Sequence, residues 1–199
     1  MLYALISRLL LPLAWWGRMR VAGRDLVPAR GPLLVVPNHD SQMDPVLVAV
    51  ALRKLRPLRF LARADLWKMF GMAPIMNGMR QIPIERGARD EGALAQARGA
   101  LDAGEAVCIF PEGKLSRGEH LRARSGVGRL AALCPDTPVV LCTVEGSTDF
   151  VRFPRHPRVR LTFFEPETGQ PAEGEEPAAL ATRYLEELRG RVPPQPAGR

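Results

Sequence analysis

The chain has 199 residues, 46% hydrophobic and 25% charged, which suits one folded domain with its own core and excludes disordered and collagen-like chains. The net charge of +7 is unevenly placed: residues 1–80 carry +8, from twelve Lys and Arg and four Asp and Glu, and residues 81–199 carry −1. An anionic partner is therefore expected, either a membrane or a nucleic acid. Three cysteines in apolar surroundings, without a Cys-x-x-Cys pair, and only three histidines argue for reduced thiols and against a disulfide scaffold or a metal site.

The first segment of the chain, residues 1–16, is almost entirely apolar and ends in two tryptophans followed by arginines. It is shorter than the roughly 20 residues that cross a bilayer, and no basic residue precedes it as in a secretory signal. Indole and guanidinium groups together favour the headgroup boundary. The sequence predicts a helix over 2–16, kinked at Pro12, that lies in one leaflet as a monotopic anchor. The alternative is a helix packed on the protein's own core.

Short apolar runs alternate with helical patterns along the rest of the chain. Strands are predicted at residues 19–22, 33–36, 59–62, 81–84, 106–110, 138–144 and 159–164. Helices are predicted at residues 46–52, 65–70, 90–103, 126–133 and 178–191, with a loop over 165–177. This alternation predicts an α/β domain with a mainly parallel central sheet flanked by helices. We divide the chain into a membrane-associating helix (1–18), this domain (19–191) and a disordered tail (192–199).

One polar segment follows the buried strand at 33–36 and contains Asn38, His39 and, after four intervening residues, Asp44. In open α/β sheets, ligands bind beyond the carboxyl ends of the strands. A neutral histidine is a suitable general base for transfer of a group to an alcohol, and a carboxylate on its far ring nitrogen would fix the tautomer. Asp44 before a proline also suits a helix N-cap, and Asp40 is a rival partner.

Two further segments carry charge. Residues 110–118 follow another buried strand and contain Glu112, Lys114 and Arg117 among glycines. Backbone amides and cations in such a loop can hold a phosphate group. Residues 78–86 form a short extended piece that closes on Arg86. No Gly-x-Ser-x-Gly elbow is present, which favours direct attack by a substrate hydroxyl without an acyl-enzyme.

In this order, the three segments resemble the glycerolipid acyltransferase family typified by 1-acylglycerol-3-phosphate acyltransferases. The resemblance covers about residues 19–165. The family's Asn-His-x4-Asp motif is matched by Asn38, His39 and Asp44, and its glycine-to-arginine motif by residues 78–86. Its Phe-Pro-Glu-Gly motif with a following serine is matched by Phe110, Pro111, Glu112, Gly113 and Ser116, and its proline-opened strand by residues 137–140.

The resemblance implies the roles of the site residues. His39 would be the base and Asp44 its charge partner, while Arg86 would bind the acceptor's phosphate. The substrate site would also include Asn38, Glu112, Gly113, Lys114, Ser116 and Arg117. In the family, the Phe-Pro-Glu-Gly motif is followed by a Thr-Arg pair, which is here Lys114-Leu115. Lys114 or Arg117 would therefore replace the missing arginine, and the identity of the acceptor is open.

The implied activity is transfer of a fatty acyl group from acyl-CoA or acyl carrier protein to the hydroxyl of 1-acylglycerol-3-phosphate, giving phosphatidic acid in phospholipid biosynthesis. No cofactor or metal is expected beyond that thioester co-substrate. The expected partners are the membrane surface, at the cytoplasmic face, and a lysophospholipid. Another acceptor, an ornithine lipid or a glycolipid, is the first alternative. A non-catalytic basic module is the second, and nucleic acid is not expected because the arginines do not interleave with aromatic residues.

Overall fold

In a computed structural model of the protein, residues 2–85, 90–151 and 156–196 are described. Within these ranges, the helices α1 to α7 span Leu2–Leu9, Leu11–Trp16, Asp44–Leu52, Met72–Gly78, Glu91–Asp102, Gly126–Leu133 and Pro177–Arg191. The strands β1 to β7 span Arg20–Ala22, Leu33–Pro37, Leu58–Arg63, Ile82–Ile84, Ala106–Cys108, Val139–Glu145 and Arg160–Phe164.

The strands form one sheet in the order β1-β7-β6-β2-β5-β3-β4. Every neighbouring pair is parallel except β6 and β7, which are antiparallel. The prediction of a mainly parallel α/β sheet is therefore confirmed. In the centre lie β2, β5 and β6, which are buried on both faces, as their continuous apolar runs predicted.

Alternate residues of the central strands serve two hydrophobic layers. Leu34 and Val107 pack with α5, α6 and α7 on one face, and Leu33 and Val35 pack with α3 on the other. Cys108, Cys134 and Cys142 are free and buried. Because both faces of the sheet are covered, the central strands are accessible at their carboxyl ends, where the polar segments lie.

The N-terminal segment divides into two helices, α1 and α2, on either side of Leu10, with Pro12 in the first turn of α2. It packs in part on the domain: the hydroxyl of Tyr3 accepts a hydrogen bond from Leu58 N at 3.2 Å, and the Trp16 ring meets Phe150 edge to face. Ala14 is also buried, whereas Leu9 and Trp15 are exposed. No helix in the described part of the chain has both the length and the apolar character needed to cross a bilayer.

Two segments differ from the sequence prediction. The helix expected at 65–70 is a 3-10 helix at Ala64–Lys68, and α4 was not predicted, because Gly71, Pro74 and Gly78 are residues that usually interrupt helices. Pro74 is tolerated because it lies in the first turn, where its missing N–H has no helical acceptor.

The chain after α7 was expected to be disordered, whereas the structure packs residues 192–196. Val192 is buried, and Gln195 accepts a hydrogen bond from Gly146 N at 3.1 Å. An apolar anchor and a side-chain amide that meets an unpaired loop N–H are enough to hold these residues against the domain. Residues 197–199 lie outside the described part.

Candidate active site

The side chains of His39 and Asp44 lie within hydrogen-bonding distance of each other beyond the carboxyl end of β2. The Nδ1 atom of His39 lies 3.1 Å from Oδ2 of Asp44. The imidazole is partly exposed and stacks on the Phe110 ring with centroids 4.1 Å apart. With Nδ1 engaged, the Nε2 atom is the ring nitrogen left for a substrate, and it has no hydrogen bond to any residue that the structure describes.

Asp44 is the first residue of α3, but its carboxylate does not cap the helix. Its Oδ2 accepts hydrogen bonds from Asp40 N at 2.7 Å and Ser41 N at 2.8 Å, both upstream of the helix. The capping interpretation is therefore wrong. The turn 40–44 folds around this carboxylate and holds it against His39, so Asp44 and not Asp40 is the histidine's partner.

Asn38 joins the turn 40–44 to β6. It is fully buried, and its amide donates to Val144 O at 3.0 Å and accepts from Val144 N at 2.7 Å. Its Nδ2 also lies 3.1 Å from Asp40 Oδ2. Asn38 was expected to bind substrate, but a fully buried amide with these partners holds two strand ends together instead.

Four buried polar side chains connect the turn 40–44 with the loop after β5 and with α7. The guanidinium of Arg189, on α7, donates to both carboxylate oxygens of Asp40, at 2.9 and 3.0 Å, and to Glu112 Oε1 at 2.5 Å. Ser116 donates its hydroxyl proton to Asp40. Glu112 Oε1 also accepts from His39 N at 3.2 Å, and Ser116 N donates to His39 O at 2.8 Å. We call Asp40, Glu112, Ser116 and Arg189 the buried cluster.

Burial and charge act in opposite directions in the buried cluster. Burial raises the pKa of Glu112, and the nearby Arg189 cation opposes that rise. Burial alone would lower the pKa of Arg189, but hydrogen bonds and charge from Asp40 and Glu112 outweigh it and raise that pKa. Two carboxylates share one guanidinium here, so the removal of Arg189 would leave two buried acids facing each other.

The loop after Glu112 presents its cations to solvent. Gly113 has φ +65°, and a Cβ there would lie 2.9 Å from Arg124 Cγ, so the loop needs glycine at this point. Lys114 and Arg117 are exposed, and within the described ranges neither side chain has a hydrogen bond or an ion pair. These cations are free to contact an anionic group. Arg86 lies outside the described residues.

The structure thus separates the predicted site residues into two groups. His39, Gly113, Lys114 and Arg117 are accessible, whereas Glu112 and Ser116 belong to the buried cluster and were expected to meet substrate. Sequence reasoning missed Arg189, because nothing near it in the chain marks it among the other arginines of α7.

Comparison with known proteins finds sequences similar to this chain, some of them named as acyltransferases. The chain is 36% identical over 112 residues to a Pseudomonas aeruginosa protein named lyso-ornithine lipid O-acyltransferase, covering 54% of this chain and 40% of that protein. It is 29% identical over 132 residues to a Mycoplasma pneumoniae protein named probable 1-acyl-sn-glycerol-3-phosphate acyltransferase, covering 64% of this chain and 49% of that protein. An uncharacterised Mycobacterium tuberculosis protein is 29% identical over 147 residues, covering 67% of this chain and 39% of that protein. The chain thus spans half or less of the length of these relatives.

Among solved structures, the fold is similar to the crystal structure of the 1-acyl-sn-glycerophosphate (LPA) acyltransferase PlsC from Thermotoga maritima. The TM-score is 0.64 at 25% identity, and the match covers 87% of this chain and 73% of that one. The family model described as Acyltransferase matches residues 18–145, which contain both members of the His39–Asp44 pair. With more than half of its residues matched, this chain belongs to the acyltransferase family.

Proposed function

We propose that this protein transfers a fatty acyl group from an acyl thioester, acyl-CoA or acyl carrier protein, to the hydroxyl of 1-acylglycerol-3-phosphate, and so forms phosphatidic acid. The observation that carries this function is the His39–Asp44 pair, in which Asp44 engages Nδ1 of a partly exposed imidazole and leaves Nε2 without a partner among the described residues. Membership of the acyltransferase family supports the same reaction type.

His39 acts as general base in this reaction. Nδ1 donates its proton to Asp44, so Nε2 carries the lone pair that accepts the proton of the acceptor hydroxyl. The hydroxyl oxygen attacks the thioester carbonyl, and the C–S bond breaks when the tetrahedral intermediate collapses. The proton on Nε2 then passes to the departing thiolate, and the Asp44 carboxylate stabilises the imidazolium between these steps.

The acceptor's phosphate would meet Lys114 and Arg117, since both are exposed and without a partner among the described residues. Lys114 and Leu115 stand where the family has its Thr-Arg pair, so a fork-shaped phosphate contact is missing at that point. This favours a second candidate, an acceptor such as a lyso-ornithine lipid. The name of the Pseudomonas aeruginosa relative supports that candidate.

The membrane would contact an exposed apolar surface formed by Leu9, Trp15, Met69, Phe70 and Ile75. Leu9, Trp15 and Ile75 lie on α1, α2 and α4, and α1 contacts both of the other helices. Met69 and Phe70 lie between α4 and the 3-10 helix that contacts it. Apolar side chains that remain exposed on adjacent elements suit insertion into one leaflet. Such a surface supports monotopic attachment, with an acceptor taken from the lipid layer.

The deciding experiment supplies purified full-length protein with a labelled acyl thioester and a panel of lysolipids. We expect the highest kcat/KM with 1-acylglycerol-3-phosphate and no transfer by His39→Ala. A preference for a lyso-ornithine lipid or a lysoglycolipid would replace the acceptor and leave the chemistry. Transfer by His39→Ala at the wild-type rate would exclude the general-base mechanism.

A further inference from the structure

Arg189 is the cation of the buried cluster, and it lies outside residues 18–145 that match the family model. Its guanidinium makes a two-pronged contact with Asp40, which follows the catalytic histidine directly, and a third contact with Glu112. It therefore reaches from the last turn of α7 to two loops that are far apart in the chain. The packing of α7 on the domain through its apolar side chains would not by itself require a buried guanidinium.

We propose that Arg189 is a positioning residue, which fixes the His39 turn and the loop after β5 relative to each other by binding Asp40 and Glu112 at once. This role rests on the acyl transfer proposed above, because Arg189 would position the base, His39, against the loop after β5 that carries Lys114 and Arg117. Arg189 does not touch the imidazole itself, and it acts through the two carboxylates.

The hydrogen bonds between the two loops show what the guanidinium controls. His39 N donates to Glu112 Oε1, and Ser116 N donates to His39 O, so the backbone of the histidine is held on both sides by the loop after β5. Glu112 Oε1 accepts from both His39 N and Arg189. If the guanidinium leaves, the carboxylate that holds the histidine backbone loses its charge partner and turns toward water or takes up a proton.

Arginine is needed here for its shape as well as its charge. The planar guanidinium presents several donors in fixed directions, so it can serve Asp40 with two parallel bonds and Glu112 with a third. An ammonium group at the end of a lysine cannot reproduce this pattern. Arg189→Lys therefore keeps the buried charge and loses the geometry, which separates positioning from neutralisation.

The experiment compares Arg189→Lys with a matched control, Arg191→Lys, in the full-length protein. Arg191 is on the same helix, pairs with the exposed Glu167 and lies over the Phe164 ring, away from both loops. We expect Arg189→Lys to lower kcat by about 10- to 100-fold at a nearly unchanged KM for the thioester, because reacting groups are misplaced while binding remains. Arg191→Lys should stay within about twofold of the wild type. An Arg189→Lys enzyme within about twofold of wild-type kcat overturns the positioning role.

A second readout needs no activity. Amide hydrogen exchange in the segments 38–44 and 110–118 should be faster in Arg189→Lys than in Arg191→Lys, while the strands of the sheet keep their protection. Equal exchange in the two variants overturns the role even if the wild type transfers no acyl group. If the wild type transfers no acyl group, the proposed function fails, while the exchange rates still decide the role of Arg189. The two failures are therefore distinguishable.

A third variant tests the contact of Arg189 with Asp40 by stability alone. Arg189→Met leaves Asp40 and Glu112 buried without their cation and is expected to lose stability. The pair Asp40→Asn with Arg189→Met removes one of the uncompensated acids, so it should unfold at a higher urea concentration than Arg189→Met alone. A double variant that is no more stable than the single one contradicts the contact of Arg189 with Asp40.

Discussion

The Oδ2 atom of Asp44 binds the backbone N–H groups of Asp40 and Ser41 and also lies 3.1 Å from Nδ1 of His39. One oxygen thus folds the turn and orients the base. This dual use explains the spacing of the motif, because four residues between the histidine and the aspartate let the chain wrap around the carboxylate. It also predicts that charge and shape at position 44 can be separated.

Asp44→Asn is expected to lower kcat by about 10²- to 10⁴-fold with little change in fold. The amide oxygen can still accept from Asp40 N and Ser41 N, but it carries no charge to stabilise the imidazolium. Steady-state kinetics and circular dichroism measure the two effects, with the exposed Asp25→Asn, in the 3-10 helix Arg24–Leu26, as the control. Should Asp44→Asn retain more than about half of the wild-type kcat, Asp44 would serve only to fold the turn.

Asn38→Ala is expected to lower the free energy of unfolding by about 2–4 kcal/mol, because Val144 N and Val144 O would both be left buried without a partner. Urea unfolding at constant pH measures the loss. The exposed Asn77, whose side chain accepts a hydrogen bond from Trp67, provides the comparison, and Asn77→Ala should cost less than about 1 kcal/mol. Equal losses for the two variants would mean that Asn38 is not part of the framework.

The parts of this site that sequence could predict are those encoded by neighbouring residues. The apolar runs of β2 and β5 end where the polar segments begin, so the meeting of His39 with the loop of Glu112 followed from the rule for parallel sheets. The use of Asn38 could not be read in the same way, since its partner Val144 is 106 residues away. A motif shows which residue types occur together, and it does not say which of them face the substrate.

Arg189 shows the same limit more strongly. Its partners Asp40 and Glu112 lie 149 and 77 residues earlier in the chain, and α7 also carries Arg183 and Arg191 in surface ion pairs. Nothing in the helical pattern singles out the arginine that turns inward. Only the packing of α7 on the sheet does so, and that packing depends on the whole fold.

The pH dependence of stability should report on Glu112. Burial raises its pKa above the ordinary value of 4.5, so the folded protein keeps this proton to a higher pH than the unfolded chain does. Above that ordinary value, the free energy of unfolding therefore falls as pH rises, until the folded-state pKa is passed. Glu112→Gln lacks this loss, and its stability relative to the wild type should improve as pH rises from the ordinary value of 4.5 toward neutrality.

Urea midpoints across this range test the expectation. Glu119→Gln supplies the background for changing one exposed acid of the same loop. A difference between Glu112→Gln and the wild type that is constant with pH, or that shrinks as pH rises, would contradict the raised pKa of Glu112.

Two helical glycines should respond in opposite ways to alanine. A Cβ at Gly128 in α6 would lie 1.9 Å from Pro177 O, at the start of α7, whereas a Cβ at Gly99 in α5 meets nothing within 4 Å. Gly128→Ala must push α7 away from α6 and should cost about 1–3 kcal/mol or more. Gly99→Ala should stabilise the protein by about 0.5–1 kcal/mol, because it only reduces the entropy of the unfolded chain.

Thermal and urea unfolding of both variants measure these effects. Gly128→Ala should also lower kcat, since α7 carries Arg189 to the buried cluster. Gly128→Ala at wild-type stability would show that α6 and α7 lie farther apart than in this structure. A destabilised Gly99→Ala would contradict the open space next to Gly99.

Membrane attachment is best tested by single substitutions. Deletion of residues 1–16 would also remove Tyr3 from Leu58 N and so damage the domain. Trp15 and Phe70 are 84% and 107% exposed, so Trp15→Ser and Phe70→Ser should leave the melting temperature unchanged. Each should weaken binding to anionic phospholipid vesicles by about tenfold or more, because a buried aromatic side chain is worth roughly 1.5–3 kcal/mol.

The matched control is Leu133, an exposed apolar residue at the end of α6, outside the surface proposed to meet the membrane. Leu133→Ser should bind vesicles like the wild type, and cosedimentation at two salt concentrations separates the apolar contribution from the charge of the basic half. Equal binding by Trp15→Ser, Phe70→Ser and Leu133→Ser would remove this surface as the membrane contact. The +8 net charge of residues 1–80 would then have to account for attachment alone, and binding would fall steeply with salt.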